Sequence, residues 1–158
     1  MFSLSIASAI VLFDQFTKFL VLRNFFLHEA LPIIPGLFDL RRIHNTGAAW
    51  GMFAGGHLWL AFLSIIMLAV LVVFRRSFLG DSWIERLCLG VIVGGIVGNL
   101  IDRVRLQYVV DFLDFYWRDH HFPAFNIADS AICVGVGLYV VVQIIHARKG
   151  LTPGEGEP

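Results

Sequence analysis

The sequence predicts an all-α membrane protein with four transmembrane helices, a small β-containing segment outside the membrane, and a loop or interfacial helix between spans 3 and 4. Three observations carry this. Of 158 residues, 58% are hydrophobic and 15% charged, and the mean hydropathy is +0.77, outside the balance of a soluble domain. The apolar residues fall into four runs, at about 2–22, 57–74, 83–101 and 126–145, of the length needed to approach or cross a hydrocarbon core about 30 Å thick. The charged and turn-forming residues concentrate between those runs. Residues 1–150 form a single integral membrane unit, and residues 151–158 a polar mobile tail.

The first run is read as a retained helix. A cleavable signal wants a basic start and a small-residue site after its apolar middle, but Lys and Arg are missing from the start and Ala7-Ser8-Ala9 comes too early. Asp14 and Lys18 interrupt the run. Spaced i, i+4 on a helix, they share a face and neutralise one another, though ionisable groups within a span also mark functional sites.

From Arg23 to Gly56 the chain is mixed. Pro32, Pro35 and Gly36 break it, and Leu37 to Ile43 partly alternates in the manner of a strand. The segment ends in Asn45-Thr46-Gly47-Ala48-Ala49-Trp50-Gly51. Its small residues permit close approach, and Asn45 offers both an amide donor and an acceptor. The second span stops at Arg75-Arg76. The third carries Gly90, Gly94, Gly95 and Gly98, whose spacing lets neighbouring helices pack closely and makes this helix central. Residues 102–125 are again polar and aromatic before the fourth span. Basic residues fall on both sides of the membrane, so the charge count does not decide orientation.

Composition also excludes functions. Net charge is zero and no basic stripe interleaved with aromatics occurs, so nucleic acid is not an expected partner. Cys88 and Cys133 lie within apolar runs without metal-ligand spacing and read as small hydrophobes. His-Glu-x-x-His and Gly-x-Ser-x-Gly are both missing. His120 and His121 would diverge in an extended chain, so no metal or cofactor is expected.

The acids demand the closest reading. Asp102 and Arg103 close the third span as a solvated helix end would, with Asn99 one turn earlier. Asn126 suits an N-cap and Asp129 the first turn of the fourth helix. Capping alone accounts for both. Asp111 lies in an apolar context, between Val110 and Phe112, that would raise its pKa on burial. Asp111 and Asp129 bracket a segment whose two ends emerge at one membrane face, so they can converge. Two close carboxylates share a proton, leaving one as base and the other as acid, which equips them for peptide hydrolysis. Asp114, three residues from Asp111, is the rival for the same role. A different class, a small polytopic transporter or channel, is motivated by Asp14 and Lys18 within a span.

From about Phe13 to Ala131 the chain closely resembles the lipoprotein signal peptidases, or signal peptidase II, bacterial membrane aspartic proteases. Five stretches carry the resemblance: Asp14-Gln15-Phe16-Thr17-Lys18, the Asn45 to Gly51 string, Gly98-Asn99-Leu100-Ile101-Asp102-Arg103, Val110-Asp111-Phe112, and Phe125-Asn126-Ile127-Ala128-Asp129-Ser130. Trp50 stands where the family commonly has phenylalanine. The resemblance implies an aspartic endopeptidase with Asp111 and Asp129 as the catalytic pair, and Asn99, Arg103 and Asn126 around them for substrate and site organisation. It gives Asn45, Asp14 and Asp102 supporting roles. It also implies diacylglyceryl-modified prolipoproteins as substrates, cut before the lipidated cysteine. Location in the bacterial cytoplasmic membrane, both termini cytoplasmic and the active site near the outer face follow from it. Membrane lipid is an expected partner, and the chain is expected to act as a monomer. The strand-like residues 37–43 and the loop at 104–125 are expected to clamp the signal peptide, with Phe112, Phe115, Tyr116 and Trp117 along the interface.

Overall fold

The structure, a computed structural model, describes residues 2–47, 55–74 and 82–150. Ala48 to Gly51 of the Asn45 string, Arg75-Arg76 and the tail at 151–158 lie outside the described residues. Four helices are present among those described: α1 (Phe2–Asn24), α2 (His57–Val73), α3 (Trp83–Leu106) and α4 (Ile127–Lys149). α1, α3 and α4 are long and apolar enough to cross a membrane. The 17 residues of α2 reach about 26 Å, slightly less than a hydrocarbon core. The outward faces carry exposed apolar side chains such as Leu12, Phe16, Leu58, Val72 and Val141, which lipid would cover.

α3 is central, packing against α1, α2 and α4. Its glycines explain how the helices come so close. A Cβ at Gly94 would stand 2.7 Å from Ile10 Cβ and 2.9 Å from the Ala7 carbonyl oxygen, so α1 seats directly on the bare backbone. A Cβ at Gly98 would stand 2.6 Å from Asp14 Oδ2, so this glycine makes the space that the buried carboxylate occupies.

The segments between the helices form a four-stranded antiparallel sheet in the order β1 (Ala30–Ile34), β2 (Phe38–Asn45), β3 (Val109–Trp117) and β4 (His120–His121). The strand-like stretch expected at 37–43 falls on β2, which starts one residue later and runs on to Asn45. The chain is mostly helical with a small sheet, and one detail is corrected: between the last two helices lies no interfacial helix but β3 and β4, with β3 paired with β2 from Phe38↔Phe115 to Asn45↔Val109. Val109, Val110 and a series of aromatics favour a strand, and the partner strand lies far away in sequence. Phe112 is likewise not interfacial. It is 5% exposed and packs with Val21 and Val110 where the sheet meets α1. α3 runs on to Leu106, so Asp102 and Arg103 sit within the helix rather than at a solvated end.

Both later helices begin at side-chain caps. Ser82 Oγ accepts from Glu85 N at 3.2 Å at the start of α3. Asn126 and Asp129 form a reciprocal capping box at the start of α4. At the other end of the bundle, fully buried Glu85 accepts from Gln143 Nε2 at 3.0 Å and lies 3.8 Å from His146 Nδ1.

Candidate active site

The site forms where the N-terminus of α4, the C-terminal third of α3 and the β2–β3 ladder meet. A register shift in β2 between Leu40 and Ile43 brings Ile43 opposite Asp111 and Asn45 opposite Val109. Asn45 Nδ2 then donates to Asp111 Oδ2 at 2.9 Å. Asn45 Oδ1 accepts from Gly47 N at 3.0 Å, which orients the amide. The other Asp111 oxygen accepts from Asn126 Nδ2 at 2.7 Å.

Asp129 is held from the other side. Asn99 Nδ2 donates to its Oδ1 at 2.7 Å, and the Asn126 backbone N–H donates to its Oδ2 at 3.2 Å. The Asn126 amide also donates to Asn99 Oδ1 at 3.2 Å. A relay of two amides, Asn126 and Asn99, therefore runs from one carboxylate to the other. Capping and pairing are one arrangement here, because Asn126 uses its oxygen to cap α4 and its nitrogen to hold Asp111.

A second polar layer lies beneath. Lys18 Nζ reaches Asp14 Oδ2, Asp102 Oδ2 and Asn99 Oδ1, each at 2.9 Å, using its three protons. Asp14 Oδ1 accepts from Ala128 N at 2.9 Å at the start of α4. Asp102 Oδ2 accepts from Val110 N at 3.1 Å, one residue before Asp111. Gln15 Nε2 donates to Asp102 Oδ1 at 2.8 Å. Asp14, Lys18 and Asp102 are at most 2% exposed, so the acids are tolerated because this cation and the backbone donors satisfy them.

Asp111 is 2% exposed. Burial pushes its carboxyl up to about 7 and the charge of Asp129 adds to the effect, while the Asn45 and Asn126 amides and Lys18 oppose it. Arg103, half-buried, acts electrostatically on Asp129, Asp111 and Asp102. Both carboxylates line a cavity of about 530 Å³, together with Asn45, Asn99, Arg103 and the segment from Phe122 to Phe125. Asp114 is excluded from it. Three residues along a strand is an odd step, so its side chain leaves the opposite face and binds His121 Nδ1 at 2.9 Å. All eight predicted site residues thus converge on the cavity or on the layer that supports it.

The model of the family described as signal peptidase (SPase) II matches residues 6–145. The chain belongs to the signal peptidase II family. A lipoprotein signal peptidase of Syntrophotalea carbinolica is 48% identical over 144 residues, covering 89% of each chain. One from Symbiobacterium thermophilum is 43% identical over 150 residues, covering 95% of this chain and 99% of that protein. A bacterial membrane enzyme solved by the in meso method at 2.3 Å resolution superposes with a TM-score of 0.83 at 32% identity, over 99% of this chain and 93% of that one.

Within this signal peptidase II fold, the sequence marks Lys18 only as a partner of Asp14 within a span and gives Gln15 no role, although both stand in the first of the five motifs. The polar spacing of Asp14, Gln15 and Lys18 within an apolar run was the available signal. Ser64, Ile132, Cys133 and Phe122 also line the cavity. Nothing in their local sequence marks them.

Proposed function

We propose that this chain, a bacterial multi-pass membrane peptidase that removes signal peptides from prolipoproteins, works by an aspartic mechanism centred on Asp111 and Asp129. One observation carries the mechanism: the two carboxylates line one cavity and are joined through the Asn126–Asn99 relay. Asp111, deeply buried and raised to about 7, is the protonated member. Asp129, half-buried at the positive end of α4, is the base.

Asp129 takes a proton from water as its oxygen attacks the scissile carbonyl carbon, and Asp111 gives its proton to the carbonyl oxygen. A tetrahedral diol forms. On its collapse the C–N bond breaks, the amine nitrogen takes the proton held by Asp129, and a hydroxyl proton returns to Asp111. The pair thereby regains its one shared proton. Asn45, Asn99 and Asn126 fix the carboxylates, Arg103 orients the substrate, and Asp14 and Asp102 organise the layer below.

The substrate is a diacylglyceryl-modified prolipoprotein, cut before the lipidated cysteine, with its acyl chains held in surrounding membrane lipid. α2 completes a four-span bundle in a single unit over residues 1–150, followed by the tail at 151–158. Both termini face the cytoplasm of a bacterial cell, and the sheet lies at the outer face, where β2 and β3 flank the peptide. The chain acts as a monomer, without a metal or cofactor. The transporter or channel reading loses its motive, since Asp14 and Lys18 are buried against one another rather than along a path.

The test is cleavage of a diacylglyceryl precursor and its unlipidated counterpart by purified protein. Asp111→Asn and Asp129→Asn should each abolish cleavage with the fold retained. Full turnover by either variant overturns the mechanism, and equal cleavage of both precursors overturns the lipid requirement.

A further inference from the structure

Asp114 and His121, singled out by the sequence, take no part in the chemistry described above. Asp114 is 2% exposed. Its Oδ1 lies 2.9 Å from His121 Nδ1, and its Oδ2 lies 3.5 Å from Arg41 Nη1. One buried carboxylate thus joins β2, β3 and β4. The Tyr116 ring stacks on His121 with centroids 4.9 Å apart.

The cluster lies outside the cavity, at the residue that precedes one of its walls. Phe122, Pro123, Ala124 and Phe125 come directly after His121 in the chain and form one wall of the substrate cavity. The two ends of this wall are tied to the β3 backbone, and Phe125 stacks on Phe115. Phe122 N donates to Phe115 O at 2.8 Å and Phe125 N to Leu113 O at 3.2 Å, while Phe125 O accepts from Phe112 N and Leu113 N. Pro123 has no N–H to give. β4 spans only two residues, so His121 is the last side-chain anchor before the wall.

We propose that Asp114 and His121 form a latch that holds the Phe122–Phe125 wall in place, making them positioning residues for the bound signal-peptide segment. The inference rests on the peptidase reading. Without His121, Asp114 Oδ1 loses its donor, and a buried carboxylate left short of donors draws in water at the base of β4. The wall then has to be ordered when substrate binds, and that cost falls on substrate affinity. The carboxylate pair is held independently by Asn45, Asn99 and Asn126, so the chemical step changes little.

Two substitutions separate the latch from the ring stack. His121→Phe keeps an aromatic ring against Tyr116 but removes the donor. His121→Asn removes the ring and returns an N–H donor at nearly the same distance from the backbone. Hydrogen exchange over residues 118–126 reads the wall directly, and KM and kcat on a diacylglyceryl precursor read its use. In His121→Phe and Asp114→Ala, exchange should quicken and KM rise about three- to ten-fold, as for loss of a partly exposed charge-assisted hydrogen bond. In the same variants kcat should stay within about two-fold, as for a loss of binding alone. His121→Asn should restore both readouts. Unchanged exchange in His121→Phe overturns the latch, and quickened exchange with unchanged KM overturns its service to substrate. An equal defect in His121→Asn assigns the effect to the ring and overturns the inference. Should Asp114→Ala fail to fold, the half-exposed His121 variants still decide. A wild-type protein that cleaves no precursor refutes the peptidase reading, whereas exchange judges the latch by itself.

Discussion

Lys18→Met should destabilise the protein more than any other single substitution in the polar layer. The ammonium is 2% exposed and serves three acceptors, Asp14, Asp102 and Asn99, each at 2.9 Å. Methionine fills similar volume but leaves two buried carboxylates without their cation. Removing one partner from a buried ion pair costs about 3–5 kcal/mol. Gln15 Nε2 and the N–H groups of Ala128 and Val110 still reach the acids, which places the expected loss near the lower end, about 3 kcal/mol. An SDS titration of the micelle-held protein, followed by loss of tertiary structure, measures it. Combining Lys18→Met with Asp102→Asn removes one negative charge along with the cation and should recover part of the loss. An unfolding midpoint for Lys18→Met equal to that of wild type would refute the idea that this cation holds the layer together.

Other perturbations have defined outcomes. Activity should fall as pH rises above about 7, because Asp111, raised to about 7 by burial and by Asp129, then loses the proton it must donate. It should also fall in acid, once Asp129 is protonated and cannot act as base. Asn45→Ala removes an amide that favours ionised Asp111, so the alkaline limb of the rate profile should move to higher pH; a move to lower pH contradicts the assignment. Gly94→Val places atoms where Ile10 Cβ and the Ala7 carbonyl already lie within 3 Å of the first added carbon. Overpacking costs about 1–3 kcal/mol or more, visible as a lowered melting temperature in detergent, and an unchanged value would mean that α1 can shift freely. Gln143→Leu removes the amide that donates to Glu85 Oε1 at 3.0 Å and leaves His146 Nδ1 at 3.8 Å; the loss should be about 1–3 kcal/mol, and the same SDS titration detects it.

Much of this was legible in the chain because its signals are local. A long apolar run announces a membrane helix whatever it packs against. Asn126 and Asp129 announce a capping box because both halves lie within four residues. Glycines four apart announce a close helix contact. Legibility fails where a residue's partner is remote. Val109 to Trp117 becomes a strand through pairing with Phe38 to Asn45, about 70 positions earlier by the Asn45–Asp111 separation of 66 and the Tyr116–Asp39 separation of 77. Asp102 reads locally as a solvated helix end, whereas its partners Lys18, Gln15 and Val110 come from α1 and β3.

Local signals in the chain suffice for the membrane class, the positions of the long spans, the family resemblance and the residues that gather at one end of the bundle. These come from composition, from periodicity and from motifs read within a few residues. The resemblance pointed to Asp111, and the tertiary structure sets Asp111 on the cavity beside Asp129 while Asp114 pairs with His121. Strand alternation sends them to opposite faces, but which face meets α3 and α4 depends on how β3 pairs with β2. Tertiary structure also made Asn126 and Asn99 a relay between two carboxylates and made Lys18 the common partner of the layer beneath. A hydrogen bond across 81 or 114 positions leaves no local trace in the chain, because it exists only after the helices have packed.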